Sequence, residues 1–433
     1  MPNPKKLQAE KIIKALLAKG HAAFFVGGCV RDMMLERESE DFDIATSATA
    51  AEIKEVTKKR KWQTLLVGQQ FSVIMVILKG EKYEVASFRT DTYGTADRRP
   101  VSVEAVESIE EDLARRDFTI NAMAMDLEGR IIDPFGGRAD LEKKMIRAVG
   151  NANERFGEDA LRMFRAIRFA ARFNFKIAPD TFTAIGKNLT GLSTLSAERV
   201  ANELTKIITA QYPLVGIRLL LKSGLASQTC RGRNNKKDLV VPVLPELKFL
   251  PREGAGKLAL LTNTPPHLTL RLAALFVLMA KAAPLDTAAV LARLKVKAAA
   301  RKTILWLIKN FPYMPPLETT KAWLGDLAQD FSSLQDLRRH LFYLLLLWRS
   351  KGKSAPDRHS LRELKVLMTA IKQTLKTIPF FVGQLAISGE EIAAHLGANA
   401  KIKKFQRQAL FKIQEGVLEN TTAGLRQELI LFK

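Results

Sequence analysis

Cysteine is almost missing from this chain: Cys29 and Cys230 are the only two thiols among 433 residues. Two well-separated thiols exclude a disulfide framework and a cysteine-built zinc site. Histidine is nearly as scarce. His21, His267, His340, His359 and His395 are scattered and none is followed by aspartate, which leaves no sign of the His-Asp metal centre of a phosphohydrolase. Long apolar runs are missing too. The two richest, 272–280 and 341–348, end at Lys281 and Arg349, and both fall well short of the ~20 residues that span a bilayer. They read as buried helices. Residues 1–9 are polar and lysine-bearing with no apolar stretch behind them, so no secretory signal is expected. The expected setting is the cytoplasm, with no membrane partner. No fixed-period repeat and no low-complexity block occurs.

Negative charge is also in short supply. Against 45 Asp and Glu stand 68 Lys and Arg, a formal charge of +23 and a pI near 10.0. A hydrophobic content of 47% is that of an ordinary globular protein, so the excess does not come from a disordered basic chain. A folded surface this basic attracts a polyanion, and release of the polyanion's counterions would make binding depend steeply on salt. Nucleic acid is the expected partner. The length exceeds what one hydrophobic core usually serves, so several packed units are expected.

Residues 1–150 mix short strands and helices. Phe24, Phe25 and Val26 lead into Gly27 and Gly28, and a helix starts near Val30. Residues 42–45 read as a short strand, 72–78 and 82–88 as two more around a turn at Gly80, and Glu128-Gly129 as another turn. Beyond about residue 150 helical periodicity dominates, with a continuous helix expected over 154–173. Residues 230–266, rich in proline and basic residues, read as an irregular connection, and the lysine-rich 350–358 as a boundary.

The chemistry is concentrated in two motifs. Gly27-Gly28-Cys29-Val30-Arg31-Asp32 is followed by Asp41-Phe42-Asp43. Glycines at a strand end allow close backbone approach to phosphate, and the following helix aims amide N–H groups at it. Arg31 has a fork of donors suited to a triphosphate. Asp41 and Asp43, two apart on a strand, would share one face, and two hard oxygen ligands suit Mg²⁺. Alone, a Gly-Gly pair marks a turn and Asp-x-Asp a solvated pair; the order and separation make the combination specific.

That combination resembles the DNA polymerase beta-like nucleotidyltransferase superfamily. Arg115-Arg116-Asp117 with Asn121, then Ile132-Asp133-Pro134-Phe135-Gly136-Gly137, then Glu158-Asp159-Ala160-Leu161-Arg162 with Arg165 and Arg168, is similar to the class II tRNA nucleotidyltransferases and their poly(A) polymerase relatives. The likeness runs over about residues 20–210; beyond it only length and helical character match. It implies an α+β protein, a polymerase beta-like mixed-sheet head (1–148) followed by an all-α neck (149–215), body (216–355) and tail (356–433). It assigns Arg116 and Asp117 to sugar and triphosphate contacts and places Asn121 among the nucleotide-binding residues. A third metal-binding carboxylate is common in the superfamily, and Glu84, on the 82–88 strand, is the candidate for it. Arg165 and Arg168 continue the helix and could reach phosphate or base, or be solvated.

Asp159 and Arg162 support a base-selection scheme of their own. A carboxylate accepts from an amino group while a guanidinium donates to a ring nitrogen or carbonyl. Cytosine and adenine share an edge with an exocyclic amine beside an unprotonated ring nitrogen, and uracil and guanine reverse it. One Asp–Arg pair on a helix, three residues apart, could accept CTP and ATP and reject the others without a template. The bland alternative is a helix-surface ion pair worth little. The expected reaction adds CCA to the 3′ end of tRNA, with Asp41 and Asp43 holding two Mg²⁺ ions and basic C-terminal helices docking the acceptor and T arms by shape.

Four activities share such a head. Glutamines at 69 and 70, where poly(A) polymerases tend to carry a basic pair, lean against polyadenylation. A full-length loop over 89–100, with Asp91, Asp97, Arg98 and Arg99, leans against CC-only addition. Full CCA addition and A-only addition are not separated by the residues. An inactive RNA binder and a small-molecule nucleotidyltransferase remain as alternatives from other classes. The intact Asp41 and Asp43 speak against the first, and the charge and helical tail against the second. Lys401, Lys403, Lys404 and Arg293, Lys295, Lys297, Arg301 are candidate RNA contacts. Oligomeric state is not readable.

Overall fold

The computed structural model of the chain describes residues 3–66, 73–93, 100–234, 237–251, 255–280, 284–352, 358–397, 399–414 and 417–432. The chain divides into two compact units, Met1–Lys248 and Phe249–Lys433.

The first unit opens with helix α1 (Pro4–Leu17), whose N-cap Asn3 accepts from the Lys5 amide and whose first position is proline, both favourable helix starts. The order continues β1 (Ala23–Val26), α2 (Gly28–Met34), β2 (Ile44–Thr46), α3 (Ala50–Lys59), β3 (Gln63–Leu66), β4 (Val73–Leu78), β5 (Glu81–Ser87), β6 (Arg89–Tyr93) and β7 (Pro100–Ala105). Next come α4 (Ile109–Ala114), β8 (Ala124–Met125), β9 (Ile131–Ile132), α5 (Gly137–Glu142) and β10 (Met145–Ile146). The helical part of the unit holds α6 (Ala152–Glu158), α7 (Leu161–Phe173), β11 (Lys176–Ile177), α8 (Pro179–Lys187), α9 (Ala197–Ile208) and α10 (Pro213–Lys222), and it closes with β12 (Thr229–Asn234) and β13 (Lys237–Pro242).

Seven strands form one mixed sheet in the order β3-β4-β5-β2-β1-β8-β9. Only the β2–β5 pairing is parallel, Ile44 opposite Val85; β1 runs antiparallel to both β2 and β8. The β4–β5 hairpin turns through Lys79 and Gly80, both at positive φ (49° and 83°), the conformation of the tight turns that match strand twist. The apolar layer beneath joins Val26, Ala45, Phe88, Leu113, Ala122, Ala124 and Val149. The strand that leads into the glycines and the strand that follows Asp41 and Asp43 are therefore central, held on both sides.

Helix α7 explains how the helical part attaches. Met163, Phe164, Ala166, Ile167, Ala170 and Ala171 are buried, while Arg162, Arg165, Arg168 and Arg172 follow one another at helical spacing on another stripe. Packing of α10 is close enough that a Cβ on Gly216 would lie 2.5 Å from Ile207 Cγ2 and 3.0 Å from Ala171 Cβ.

Two local expectations are corrected. The continuous helix expected over 154–173 breaks at Asp159, which is extended (φ −146°, ψ 102°) between α6 and α7. Residues 230–266 are not an irregular connection: β12 and β13 pair antiparallel, Cys230 opposite Val241, and α11 (Ala255–Asn263) follows. The β-branched pair Val240-Val241 favours the strand, and Gly232 is required because a Cβ there would meet Val241 Cγ2 at 2.3 Å.

The second unit continues from α11 with α12 (Leu268–Ala280), α13 (Thr287–Arg293), α14 (Ala298–Asn310), α15 (Thr320–Ala328), α16 (Leu334–Gly352), α17 (Arg358–Thr377), α18 (Gly389–Leu396), α19 (Asn399–Gln414) and α20 (Thr422–Leu431). Every residue of α12 from Thr269 to Met279 is buried, as a helix apolar on nearly all sides requires, and its one charge, Arg271, donates to the Thr264 and Pro265 carbonyls. A separate cluster of Ile392, Phe405, Ala409, Leu425 and Leu429 organises α18 to α20. Among the described residues no helix is long and apolar enough to cross a membrane. Lys401, Lys403 and Lys404 lie exposed on α19. The glutamines at 69 and 70, Asp97, Arg98 and Arg99 lie outside the described residues, as do the Asp91 side chain and most of the expected boundary at 350–358.

Candidate active site

A cleft of about 850 Å³ lies within the first unit, lined by Gly27, Gly28, Arg31, Asp41, Asp43, Arg116, Asp117, Asn121, Asp159, Arg162, Arg165 and Arg168 among others. Of the thirteen residues expected at the metal and nucleotide sites, Glu84 alone is not in that lining.

Its floor begins where β1 ends. Gly27 sits at φ +74°, and a Cβ there would come within 2.6 Å of Arg116 Nη1, so glycine serves both the turn and the close approach of that guanidinium. Beneath it, the Cys29 thiol is pushed up to about 12 by burial first and the nearby Asp43 charge second. It stays protonated and donates to the Val26 carbonyl at 3.3 Å.

Asp41 and Asp43 do not lie on β2 as the sequence suggested. The strand begins at Ile44, and both aspartates are on its extended lead-in. There the Asp43 carbonyl still accepts from the Val26 amide at 3.1 Å, tying the lead-in to β1. Asp43 is half-buried and Asp41 exposed. The Asp43 carboxyl is pushed up to about 6 by burial, then by the charges of Glu84 and Asp41, against the pull of Arg116. Carboxylates that raise one another in this way suit a divalent cation, whose charge would relieve the crowding. Glu84, expected as a third ligand, is exposed on β5, one residue before the Val85 that pairs with Ile44. Among the described residues no group of three or more His, Cys, Asp or Glu could by itself hold a metal. Glu84 thus does not close a cluster with the two aspartates, although its charge is felt at Asp43.

The cleft wall is a set of arginines, most of them already paired. Arg31 is only 3% exposed; it donates to Asp32 Oδ1 at 2.9 Å and to Asn121 Oδ1. Asn121 in turn donates to Asp117 Oδ1 at 3.0 Å. Asp117 accepts at its other oxygen from Arg165 Nε at 2.7 Å and Nη2 at 2.6 Å. Burial would raise the Asp117 pKa, but Arg165 and Asn121 outweigh it and hold the carboxyl below its usual range. Arg115 and Arg116 both grip the wholly buried Asp112, at 2.7 and 3.1 Å. Nε of Arg116 is buried without a hydrogen-bond partner, an orphan donor on the cleft wall.

Asp159 and Arg162 both reach the cleft, but not as neighbours on one helical turn. Asp159 sits in the break, where Oδ1 accepts from the Leu161 amide at 3.0 Å and Oδ2 from Arg199 Nη2 at 2.9 Å. Arg162 is buried, pairs with Glu158, and donates to the Arg155 and Arg115 carbonyls at 3.2 and 3.1 Å. Arg168 Nε lies 2.8 Å from Glu203 Oε2, yet neither atom finds a well-aligned hydrogen bond, so this pair attracts as charges only.

Sequence reasoning missed Asp112, Arg172, Arg199 and Glu203. Arg172 was findable, since it continues the 162, 165, 168 row by one helical turn. Arg199 and Glu203 carry no local signal, because they act from α9 across a fold contact. The Asp133-Pro134-Phe135-Gly136-Gly137 segment proves to be a brace. Asp133 accepts from the Gly137 and Arg138 amides at 2.7 and 2.9 Å, and a Cβ on Gly137 would be 2.3 Å from the Thr119 carbonyl. It props the turn that presents Asn121.

A mixed sheet with two aspartates on the lead-in to a central strand, a glycine pair at the end of its neighbour and a paired-arginine wall has the architecture of a polymerase beta-like head. Residues 23–147 match the poly(A) polymerase head domain, and residues 174–231 match the probable RNA and SrmB-binding site of polymerase A. Over these two segments the chain is similar to the poly(A) polymerase family. It is 43% identical over 250 residues to the CCA-adding enzyme of Lactobacillus johnsonii, covering 58% of this chain and 61% of that one. It is 46% identical over 218 residues to that of Geobacillus stearothermophilus, covering 50% and 53%. The chain thus spans about three-fifths or less of the length of these curated relatives. Among solved structures, the Bacillus stearothermophilus CCA-adding enzyme in complex with CTP superposes at a TM-score of 0.75, with 29% identity and coverage of 99% and 98%. The Thermotoga maritima CCA-adding enzyme complexed with tRNA shares the fold at a TM-score of 0.62 and 21% identity, covering 100% and 96%.

Proposed function

We propose that this protein adds CCA to the 3′ end of tRNA from CTP and ATP without a template. The observation that carries the reading is that one cleft brings together the metal-suited pair Asp41 and Asp43, the glycine turn, and the base-reading candidates Asp159 and Arg162. In the reaction the RNA 3′-oxygen forms a bond to the α-phosphorus of the nucleotide as the bond to pyrophosphate breaks, and the hydroxyl proton passes to solvent. Mg²⁺ held by Asp41 and Asp43, with Glu84 nearby, would supply charge neutralisation on the phosphates and a more acidic 3′-hydroxyl.

The rest falls to the chain. Gly27 and Gly28 let phosphate approach the backbone, and Arg116 offers the orphan Nε. Asp117 and Asn121 fix Arg31 and Arg165 in place. Asp159 would accept from the amino group that cytosine and adenine share, while Arg162 donates to the adjoining ring nitrogen. Arg199 holds Asp159 in position for that contact. The second unit would dock the acceptor and T arms, and such an enzyme works in the cytoplasm. A-only addition is the second reading, because no residue of the cleft separates it.

The test supplies purified protein and Mg²⁺ with tRNA transcripts lacking CCA or ending in C or CC, with CTP and ATP separately and together. Growth by three nucleotides that needs both and vanishes in Asp41→Ala and Asp43→Ala supports the proposal. Growth of the CC-ended transcript alone means A-only addition, and long A tails mean polyadenylation. No incorporation by a folded, tRNA-binding protein refutes catalysis.

A further inference from the structure

One arginine of the α7 row differs from the rest. Arg165 stands 2.6 Å from its carboxylate and Arg168 2.8 Å from its own, and Arg162 is buried against Glu158. Arg172, one turn further along and also lining the cleft, is 47% exposed and, among the described residues, forms an ion pair only with Asp32, at 3.5 Å. Asp32 is already committed, because Arg31 holds its other oxygen at 2.8 Å. A third cation joins them. The guanidiniums of Arg31, Arg172 and Arg37 lie 4.9, 5.1 and 5.2 Å from the centre of the Phe173 ring. Three positive charges thus lie round one aromatic ring, and the Asp32 carboxylate pairs with two of them, Arg31 and Arg172. Glu38 and Glu40 line the same cleft, yet among the described residues neither forms an ion pair with these arginines.

Positive charges crowd in this way at a cost unless an anion completes the set. The Phe173 ring attracts the guanidiniums by cation–π contact, which does not itself consume their N–H donors. Arg172 and Arg37 are the accessible members, since Arg31 is buried.

We infer that Arg172, supported by Arg37, is a phosphate-binding residue of this cleft, additional to the motif residues and poised to leave Asp32 when substrate enters. The ligand is a phosphate oxyanion with paired acceptor oxygens. The outer phosphates of a nucleoside triphosphate and the last internucleotide phosphates of an RNA share that chemistry. The inference rests on the nucleotidyl-transfer reading for its substrates but not for its test.

The experiment compares wild type, Arg172→Ala and Arg172→Lys at constant ionic strength. It reads calorimetric binding of inorganic tripolyphosphate, KM and kcat for CTP and for tRNA, and thermal unfolding. Loss of a charge-assisted, forked contact weakens phosphate binding by about tenfold. A rise of that order in KM with kcat within about twofold, partly rescued by lysine, supports the inference. A matching loss of tripolyphosphate affinity assigns the contact to the nucleotide; unchanged tripolyphosphate binding with raised tRNA KM assigns it to RNA. Unchanged values throughout, or lowered thermal stability with both KM values unchanged, would overturn it, the latter making Arg172 a brace for Asp32. If the wild type fails to incorporate nucleotide, the functional reading falls while tripolyphosphate binding still tests Arg172.

Discussion

The Asp117–Arg165 pair joins the turn after α4 to helix α7, and its removal should loosen one from the other. Asp117 is 7% exposed and takes four contacts: two from Arg165 at 2.6 and 2.7 Å, one from Asn121 at 3.0 Å and one from the Phe118 amide at 2.9 Å. Arg165 is 37% exposed at the side chain, so the pair sits at the edge of the low-dielectric region. With an effective dielectric of about 20, opposite charges about 4 Å apart attract by roughly 4 kcal/mol. Breaking a buried pair from either side costs about 3 kcal/mol because the survivor is left unpaired. Asp117→Ala and Arg165→Ala should therefore each cost about 3 kcal/mol, and the double variant little more than either. The expected coupling is about 2–3 kcal/mol. Because the chain has two units, a global melt would mix them; hydrogen exchange of peptides from α7 reads the local opening directly. The Asp117 pKa is depressed, so the coupling should be complete above pH ~4 and fade as pH falls through the folded-state value. Additive single effects, within about 0.5 kcal/mol, would refute the reasoning.

Three further outcomes follow from the site. In metal-free protein the raised Asp43 pKa favours its neutral form, a contribution present below pH ~4 and lost as pH rises through about 6. Asp43→Asn should therefore stabilise the first unit at pH 7.5 by about 2–3 kcal/mol, flatten its stability between pH 4 and 6, and lower nucleotide incorporation by over about 1000-fold; unfolding curves across pH would expose a wrong assignment. Gly27→Ala forces a side chain into φ +74° and against Arg116 Nη1 at 2.6 Å. A loss of about 1–2 kcal/mol and a raised nucleotide KM are expected, and an unaltered KM would show that Arg116 adapts. Arg199→Ala removes a partly exposed pair, costing under about 1 kcal/mol, yet should raise incorporation of UTP or GTP relative to CTP and ATP by about tenfold. Unchanged fidelity would mean Asp159 is positioned without it.

Much of the head was legible because its signals are local. A glycine pair at a strand end, aspartates two apart and a basic pair before Asp117 each report on their own backbone. Three arginines of the α7 row, Arg162, Arg165 and Arg168, were picked out by their motif resemblance, and Arg172 was not. What escaped needed tertiary contacts. Asp159 looks helical because Glu158-Asp159-Ala160-Leu161 has no glycine or proline to mark a stop, yet its side chain caps the Leu161 amide and ends α6. Such competition between side chain and backbone is a known weakness of aspartate within helices. Arg199 and Glu203 are unremarkable members of an amphipathic helix until α9 packs on α7. The β12–β13 hairpin was hidden by a basic, proline-bounded composition that resembles a loop.

The break at Asp159 also bears on redesign. Asp159 and Arg162 hang from different structural supports: one from a capping turn clamped by α9, the other from a helix interior clamped by Glu158 and two carbonyls. If the pair reads the base as proposed, exchanging their chemistry to admit uracil or guanine would strand Arg199, Glu158 and the Leu161 amide at once. Altered base preference would then need the surrounding clamps rebuilt along with the two letters of the motif. On the proposed base-reading role, a pair mounted this way leaves little room to change either residue alone.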